Sequence, residues 1–350
     1  MKKGILLYTG YLGYNHGKYH TPTDDDLRQI LDVTDEILLI TISTYNAYTD
    51  KNGEERKIVT LGTVDEMTVD MVGSPERFDI IRSEYRAHIE PRERANYNIS
   101  EYVSDAVSLA KRLVALNENV SIWYSFPQAE ELHALTHLFA EPWSLLADEI
   151  KSATPDDIWD KNIKGFYYAT EDIISAGYTK FDPSKPENDF DNPIVYSMRV
   201  LSEKVHSFGK KLLWIPYYHE AASSSTNMGY VVNLTDIFDT VIIQPSYFFR
   251  NERIKELAIV KECVKRQAVV DIHGNIIGGC KRSKTVIGFE MEIDQRFYSD
   301  SEYAKRYQGY VDSFSEFLGI YPTAYYAERP DIMLTLLNEI KKFYKQRRKL

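Results

Sequence analysis

Cysteine is scarce in this sequence, which has only Cys263 and Cys280 among its 350 residues. Their spacing fits none of the arrangements that cysteines adopt around zinc. A chain of this length buries a substantial core without covalent cross-links. The pattern leaves a single disulfide open but favours two free thiols.

Positive charge is in deficit, with 42 Lys and Arg against 52 Asp and Glu and a net charge of −10. Nucleic-acid binding depends on basic patches that neutralise phosphates. The basic cluster at residues 341–349 closes the last predicted helix, where cations favour the helix dipole. We therefore predict no nucleic-acid partner.

Long hydrophobic runs are also missing, because no stretch approaches the ~20 apolar residues of a membrane span. The N-terminal MKKGILLYTGYLGYN has an apolar run of only a few residues and fits a first strand better than a signal peptide. As written, the sequence predicts a cytoplasmic protein with no membrane partner. If an export signal had been trimmed from the chain, the protein would instead be exported.

Three catalytic signatures are lacking. The turn in YTGYLGYNHG is not a GxGxxG motif in register, which disfavours a doubly wound dinucleotide-binding sheet. No G-x-S-x-G nucleophile elbow occurs. His219 is the only histidine at a predicted strand end, whereas metal-dependent hydrolases need several. We predict neither a cofactor nor a metal site.

Aromatic residues, in contrast, are abundant, with 26 Tyr, 15 Phe and 4 Trp. This is more tyrosine than a core needs, and a ring with a polar hydroxyl suits surfaces that are half apolar and half wet.

Eight short segments rich in β-branched and aromatic residues recur, and most are followed by a helix-like pattern. Near-continuous apolar runs of this kind are typical of parallel strands that are buried on both faces. Strand–helix alternation repeated eight times predicts an α/β fold, a single (β/α)8 TIM barrel over residues 1–350. The segments are 4–10, 36–44, 119–127, 163–172, 211–218, 239–249, 284–294 and 321–328.

Two connections of this barrel are enlarged, those after strands two and four. Residues 45–98 contain an Asn-Gly between strand-like runs, which predicts a β-hairpin insertion. Residues 173–192 form a long polar loop. The connection over 219–238 predicts at most a short helix.

Carboxylates concentrate at the ends of strands four and seven. Active sites of (β/α)8 barrels are built at the C-terminal ends of the strands, so these acids should face each other across the mouth. A facing pair of carboxylates is the machinery of glycoside hydrolysis, one serving as acid and the other as nucleophile or base. The candidate catalytic residues are Glu171, Glu290 and Glu292.

Alternation along strand seven supports this choice. In GFEMEID, Phe289 and Met291 fall on one face and Glu290, Glu292 and Asp294 on the other. Since the apolar face should meet the helices, the acids should point into the barrel.

Aromatic and polar residues at the remaining strand ends suit a sugar, because flat rings stack on apolar sugar faces and hydroxyls bond to hydroxyls. We predict an oligo- or polysaccharide partner, and the sequence leaves the oligomeric state open. The candidate substrate-binding residues are Tyr8, Trp123, Trp214, Tyr217, Tyr218, His219, Gln244, Tyr247, Asp294 and Glu328.

Four segments carry a resemblance to a known family: GFYYATEDI at 165–173, LLWIPYY at 212–218, QPSYFF at 244–249 and GFEMEID at 288–294. They resemble the bacterial family catalogued as domain of unknown function 4855, which is similar to barrel-type glycoside hydrolases. The resemblance implies the barrel and a role in glycan processing, often in exported proteins.

The placement of the acids is also similar to that in a large clan of glycosidases, which take the acid/base from strand four and the nucleophile from strand seven. The asparagine that usually precedes the acid/base is replaced here by Thr170. The sequence thus predicts a glycoside hydrolase-like enzyme with Glu171 as acid/base and Glu290 or Glu292 as nucleophile. The alternative is a non-catalytic carbohydrate-binding TIM barrel.

Overall fold

The computed structural model describes residues 3–13, 17–42, 46–49, 55–58, 99–127, 140–171, 173, 193–219, 222–327 and 329–345. Eight parallel strands form one sheet, and the sheet closes because the last strand pairs with the first. The barrel strands are β1 (Gly4–Gly13), β2 (Glu36–Ile42), β3 (Ser121–Ser125), β4 (Ile163–Tyr168), β5 (Lys211–Trp214), β6 (Thr240–Ile243), β7 (Val286–Glu292) and β8 (Thr323–Tyr326).

Helices connect the strands around the outside. The single (β/α)8 TIM barrel predicted from strand–helix alternation is therefore confirmed. The α-helices of the described residues are α1 (Asp24–Leu31), α2 (Ile99–Leu116), α3 (Ala140–Ala153), α4 (Asp156–Lys161), α5 (Pro193–Ser207), α6 (Ala222–Leu234), α7 (Ile254–Arg266), α8 (Arg296–Ser299), α9 (Ser301–Phe314) and α10 (Pro330–Tyr344).

Several strands end earlier than the sequence indicated. Pro216 and Pro245 follow β5 and β6 closely, and a proline cannot donate to a strand ladder. Beyond them the chain turns into the loops that surround the C-terminal end of the barrel.

The prediction of at most a short helix over residues 219–238 was wrong, because α6 spans 13 residues there.

The enlarged connection after β2 contains two short strands, Asn46–Thr49 and Glu55–Ile58, which pair antiparallel in the region where the sequence predicted a hairpin. A further short strand, Gly17–Lys18, folds back on β1. Both cysteines are free thiols, as predicted. Among the described residues, no helix has the length and apolarity that a membrane span requires.

Two apolar cores stabilise the barrel. The larger lies between sheet and helices, and the stacking of Phe289 of β7 on Phe314 of α9, with ring centroids 4.4 Å apart, belongs to it. The smaller fills the barrel itself. Its buried members are Leu6, Leu38, Ile40, Trp123, Tyr167, Ala169, Leu213, Ile215, Ile242 and Ala324.

Strand β7 is fixed at its start by the residue that ends α7. Gln267 has the left-handed conformation of a helix C-cap, with φ of 54°. Its side-chain amide donates to the main-chain carbonyl of Ile287 at 2.7 Å and accepts from the N–H of the same residue at 2.9 Å. Helix α7 and strand β7 are thereby locked in register, which sets the height of the acids that follow.

Candidate active site

Alternation along β7 separates its apolar and acidic side chains as the sequence indicated. Ile287, Phe289 and Met291 belong to the core beneath the helices. Side chains of successive strand residues point to opposite faces, so Glu290 and Glu292 project to the barrel side. Glu290 pairs in register with Ala324, which belongs to the core inside the barrel.

Glu290 is a buried acid without local compensation. Only 2% of it is exposed, and no described residue hydrogen-bonds or ion-pairs with its carboxyl group. Burial raises its pKa well above the usual value, and repulsion from Glu292 and Glu171 raises it further. These surroundings favour the protonated form of the Glu290 carboxyl group.

Glu292 is equally buried, with 1% exposed, but both of its carboxylate oxygens accept hydrogen bonds. Oε1 accepts from the main-chain N–H of Ser246 at 3.0 Å, and Oε2 accepts from the hydroxyl of Tyr310 at 2.5 Å. Burial raises its pKa to about 7, while hydrogen bonds from Tyr310 and from the N–H groups of Ser246 and Phe248 oppose that rise. The two acids of β7 therefore differ in their hydrogen bonding.

The donor at Ser246 lies in a strained turn after β6. Its φ of 55° puts a residue with a side chain in the left-handed region, which within the described residues occurs otherwise only at Gln267 and at glycines. Left-handed conformations of this kind are retained where the surroundings over-determine them, often at functional sites. Here the turn directs the N–H of Ser246 at Glu292.

Glu171 lies three residues beyond the end of β4 and is half-buried. Its main-chain carbonyl accepts from the N–H of Tyr217 at 3.3 Å, which ties this end of β4 to the segment after β5. Its carboxylate lies close enough to raise the pKa of both Glu290 and Tyr8. The structure therefore brings Glu171 and Glu290, from strands on different sides of the barrel, into one electrostatic cluster.

Tyr8 of β1 completes this cluster. Burial is the main cause of its raised pKa, and neighbouring phenols and carboxylates, among them Tyr326, Tyr167, Glu171 and Glu290, raise the pKa further. Its phenol therefore stays protonated and can donate a hydrogen bond.

An aromatic wall extends from Tyr8 along one side of the mouth. The ring of Tyr8 lies 5.7 Å from Tyr19 and 6.2 Å from Tyr326, and Tyr326 meets Phe249 edge-on at 5.8 Å. Of these four residues, the sequence-based candidates included only Tyr8. Tyr326 is visible in the sequence from its position at the end of β8, whereas Tyr19 and Phe249 lie in loops that only the fold brings there.

Gln244, Tyr217 and His219 lie after β5 and β6, where the sequence predicted them. The amide nitrogen of Gln244 donates to the carbonyl of Ile215 at 2.9 Å, and Tyr217 forms a parallel bridge with Gln244. His219 contacts Tyr217 edge-on at 6.0 Å. All three are half-buried, so they remain candidates for contact with a ligand.

Three aromatic candidates need correction. Trp214 and Tyr218 are fully buried, because Trp214 stacks on Phe238 at 5.1 Å and the Tyr218 hydroxyl donates to the carbonyl of Val270 at 2.9 Å. Both belong to the core under the helices. Trp123 does point into the barrel, but it belongs to the apolar core there and is 2% exposed.

Trp123 is buried in the apolar core because its side chain lies low in the barrel, away from the C-terminal mouth. Its indole N–H donates to Glu36, the first residue of β2, at 3.1 Å, so the ring reaches towards the N-terminal end of the barrel. A Cβ atom at position 165 would come within 1.8 Å of the main-chain carbonyl oxygen of Lys211 and within 2.8 Å of the Trp123 ring, so only glycine fits there.

Two further candidates are also engaged elsewhere. Tyr247 stacks on Tyr310 of α9, with ring centroids 6.1 Å apart, and packs against the larger core. Asp294 is buried and forms an ion pair with Arg296 at 2.5 Å, while its other oxygen accepts the N–H of Arg296 at 2.8 Å. The charge of Asp294 is thereby neutralised within the turn that starts α8. Glu328 lies outside the described residues.

In the described part of the chain, no group of three or more His, Cys, Asp or Glu side chains is placed to hold a metal ion.

Comparisons with known proteins give distant structural similarities. No protein-family model and no curated protein matches the sequence. The glycoside hydrolase domain of PgaB (BpsB) from Bordetella bronchiseptica is similar over 99% of this chain and 100% of its own, with 9% identity and a TM-score of 0.44. A chitinase from Chromobacterium violaceum ATCC 12472 is similar over 99% of this chain and 100% of its own, with 10% identity and a TM-score of 0.40.

The spore cortex-lytic enzyme SleL of Bacillus cereus is similar over 97% of this chain and 75% of its own, with 9% identity and a TM-score of 0.41. At such identities and TM-scores, these similarities say nothing about the chemistry of the present chain. The interpretation of its site therefore depends on its own geometry.

Proposed function

We propose that this protein is a glycoside hydrolase-like enzyme that cleaves a glycosidic bond with Glu290 and Glu171 as its pair of carboxyl groups. The observation that carries the proposal is the buried, uncompensated Glu290, which shares one electrostatic cluster with Glu171. An unpaired buried acid is costly as a purely structural choice. Pairs of carboxyl groups whose surroundings separate their pKa values are the basis of acid/base catalysis on sugars.

The surroundings of each acid suggest its role. The surroundings of Glu290 favour its protonated form, so it would donate its proton to the glycosidic oxygen as the bond to the anomeric carbon breaks. Glu171, which is partly exposed, would act as the carboxylate. It would either take a proton from the attacking water or attack the anomeric carbon itself and be released by water. These roles reverse the sequence-based assignment, which made Glu171 the acid.

Glu292 does not suit the nucleophilic role that the sequence left open for it. Both of its oxygens already accept hydrogen bonds from Ser246 and Tyr310. We assign it to the support of Glu290 instead.

The aromatic wall of Tyr8, Tyr19, Tyr326 and Phe249 supports a carbohydrate ligand. Rings that are partly exposed beside acids provide apolar faces for stacking and hydroxyls for hydrogen bonds. We propose an oligo- or polysaccharide substrate, and the four strand-end segments remain the basis for proposing membership of the family of unknown function 4855.

The alternative, a binding barrel without catalysis, requires the acids to be held in ion pairs. Asp294 is held in this way by Arg296, but no described residue ion-pairs with Glu290. The lack of an ion pair between Glu290 and any described residue therefore argues against the non-catalytic binding barrel.

The test is turnover of an oligosaccharide panel by the wild type, Glu290→Gln and Glu171→Gln. Glu256→Gln serves as a matched control, because Glu256 is also a buried carboxylate but pairs with Arg253 on the outside of the barrel. We expect the first two variants to lose about a hundredfold or more in kcat/KM and the control to stay near the wild type. Binding without turnover by every protein, wild type included, would favour the non-catalytic barrel.

A further inference from the structure

The hydroxyl of Tyr310 lies where three parts of the fold meet. Tyr310 is a fully buried residue of α9, in the layer outside the barrel. Its hydroxyl donates to Glu292 at the end of β7 and accepts from the main-chain N–H groups of Tyr247 and Phe248, at 2.9 Å and 3.2 Å, in the turn after β6. One side chain of a helix therefore links the ends of two neighbouring strands.

The hydrogen bonds fix the direction of the Tyr310 proton. A phenol has one proton to donate and accepts through its oxygen. Main-chain N–H groups can only donate, so Tyr247 and Phe248 occupy the accepting side of the hydroxyl. The proton of Tyr310 is left to point at Glu292.

Glu292 consequently faces donors at both oxygens. Oε1 meets the N–H of Ser246 and Oε2 meets the O–H of Tyr310, and hydrogen bonds of this kind stabilise the ionised form of a carboxyl group. Glu290 projects to the same side of the strand two residues earlier, and no described residue donates to it. Two neighbouring acids on one strand thus have opposite surroundings.

We propose that Tyr310 is a positioning residue that favours ionisation of Glu292 over ionisation of Glu290, so that Glu292 releases its proton first as the pH rises. Its consequence for catalysis rests on the function proposed above, whereas the distribution of charge does not.

The other ionisable groups around this pair act in the same direction or are neutralised. Glu171 after β4 adds negative charge near Glu290, and Tyr8 of β1 is a protonated phenol. Tyr326 of β8 is in register with Glu292 and contributes another phenol. Asp294, which follows β7, is paired with Arg296.

Loss of the Tyr310 hydroxyl should redistribute the proton. In Tyr310→Phe, Glu292 loses a donor and should bind a proton at a higher pH. The neutral Glu292 then repels Glu290 less, so Glu290 should release its proton at a lower pH. The total charge of Glu290 and Glu292 should change less than the way it is divided between them, which is typical of coupled titrations.

The experiment is a pH titration of the free protein labelled with carbon-13 at its glutamate carboxyl groups and followed by NMR. Glu290→Gln and Glu292→Gln assign the two signals. Tyr307→Phe is the matched control, because Tyr307 lies one turn earlier on α9, is also buried, and bonds through its hydroxyl to Tyr325 at 2.8 Å instead.

We expect the midpoint of Glu292 to rise and that of Glu290 to fall by about one pH unit each in Tyr310→Phe, with both unmoved in Tyr307→Phe. Unmoved midpoints in Tyr310→Phe, or equal shifts in both variants, would overturn the proposal. If Tyr310→Phe does not fold, the same pair is compared in a Ser246→Gly background. That change relieves the left-handed residue and keeps its N–H.

An activity measurement separates this inference from the proposed function. If Glu290 is the acid, the alkaline limb of the kcat/KM profile should move to lower pH by about one unit in Tyr310→Phe and stay in place in Tyr307→Phe. The NMR shifts without turnover of any glycan would refute the proposed function and leave the charge assignment standing. Turnover that depends on Glu290, together with unmoved NMR midpoints, would refute the charge assignment alone.

Discussion

The two halves of the barrel interior differ in chemistry although the same strands supply both. Towards the N-terminal end the interior is filled by a closed apolar core around Trp123. Towards the C-terminal end it carries phenols, an amide and buried acids. On β1, β7 and β8, and at the end of β6, the change takes a single step of two residues: Leu6 to Tyr8, Gly288 to Glu290, Ala324 to Tyr326 and Ile242 to Gln244.

This difference shows how the fold divides stability from function. Residues two apart on a strand share a face, so the apolar layer provides a rigid floor for the polar layer above it. The floor also excludes water from below, which keeps Glu290 in a medium where its charged form is unfavourable. The perturbed acid at the mouth thus depends on the core beneath it.

The largest effect on stability should come from the floor. Trp123→Ala removes a buried ring from the barrel interior and should lower the free energy of unfolding by about 3–5 kcal/mol, measured by urea denaturation. Tyr8→Ala, one layer higher and half-buried, should have a clearly smaller effect. An equal loss in both variants would mean that the two halves are not distinct in packing.

A smaller effect on stability, a gain instead of a loss, should come from substitution of the acids at the mouth. The pKa values of Glu290 and Glu292 are raised in the folded protein, the latter to about 7, so the folded state binds more protons than the unfolded state above the usual carboxyl pKa of 4.5. The stabilisation associated with these protons is complete below pH 4.5 and is lost as the pH rises through the folded values.

Glu290→Gln removes one of these ionisations. It should therefore match the wild type in stability near pH 4.5 and exceed it by a margin that grows as the pH rises towards 8, measured by denaturation at each pH. A variant that is less stable than the wild type at pH 8 would show that Glu290 is a structural acid after all.

The smallest effect should come from the aromatic side chains beneath the helices. Tyr218→Phe leaves the carbonyl of Val270 without its donor and should cost about 1 kcal/mol of stability. KM for any saccharide substrate should not change, because the residue is fully buried outside the barrel. A raised KM without loss of stability would restore the sequence-based assignment of Tyr218 to the site.

Sequence patterns located the acids better than the aromatics, and the reason is physical. On β7 the alternation of acids with Phe289 and Met291 reveals which face meets the barrel interior. On β5 both faces are apolar, as is usual for strands buried on both sides, so nothing in KLLW indicates that Trp214 points outwards. The Trp123 side chain does point into the barrel, but it lies too far from the C-terminal mouth to contact a ligand there.

The support of Glu292 was beyond the reach of the sequence. Tyr310 lies on α9, and its contact with β7 depends on how the helix packs through Phe314 on Phe289. Helical periodicity places Tyr310 among the buried residues of α9 but does not say which strand its hydroxyl meets. The turn at Ser246 is likewise visible only from its backbone conformation.

The dependence of Glu290→Gln activity on the leaving group tests the acid role of Glu290 most directly. Dinitrophenyl glycosides lose their aglycone without a proton, whereas unactivated oligosaccharides need an acid. For whichever sugar the wild type cleaves, we expect Glu290→Gln to stay within about tenfold of its kcat/KM on the dinitrophenyl glycoside and to fall about a thousandfold on the oligosaccharide. Equal losses on both substrates would contradict the role of Glu290 as the acid at the mouth of this barrel.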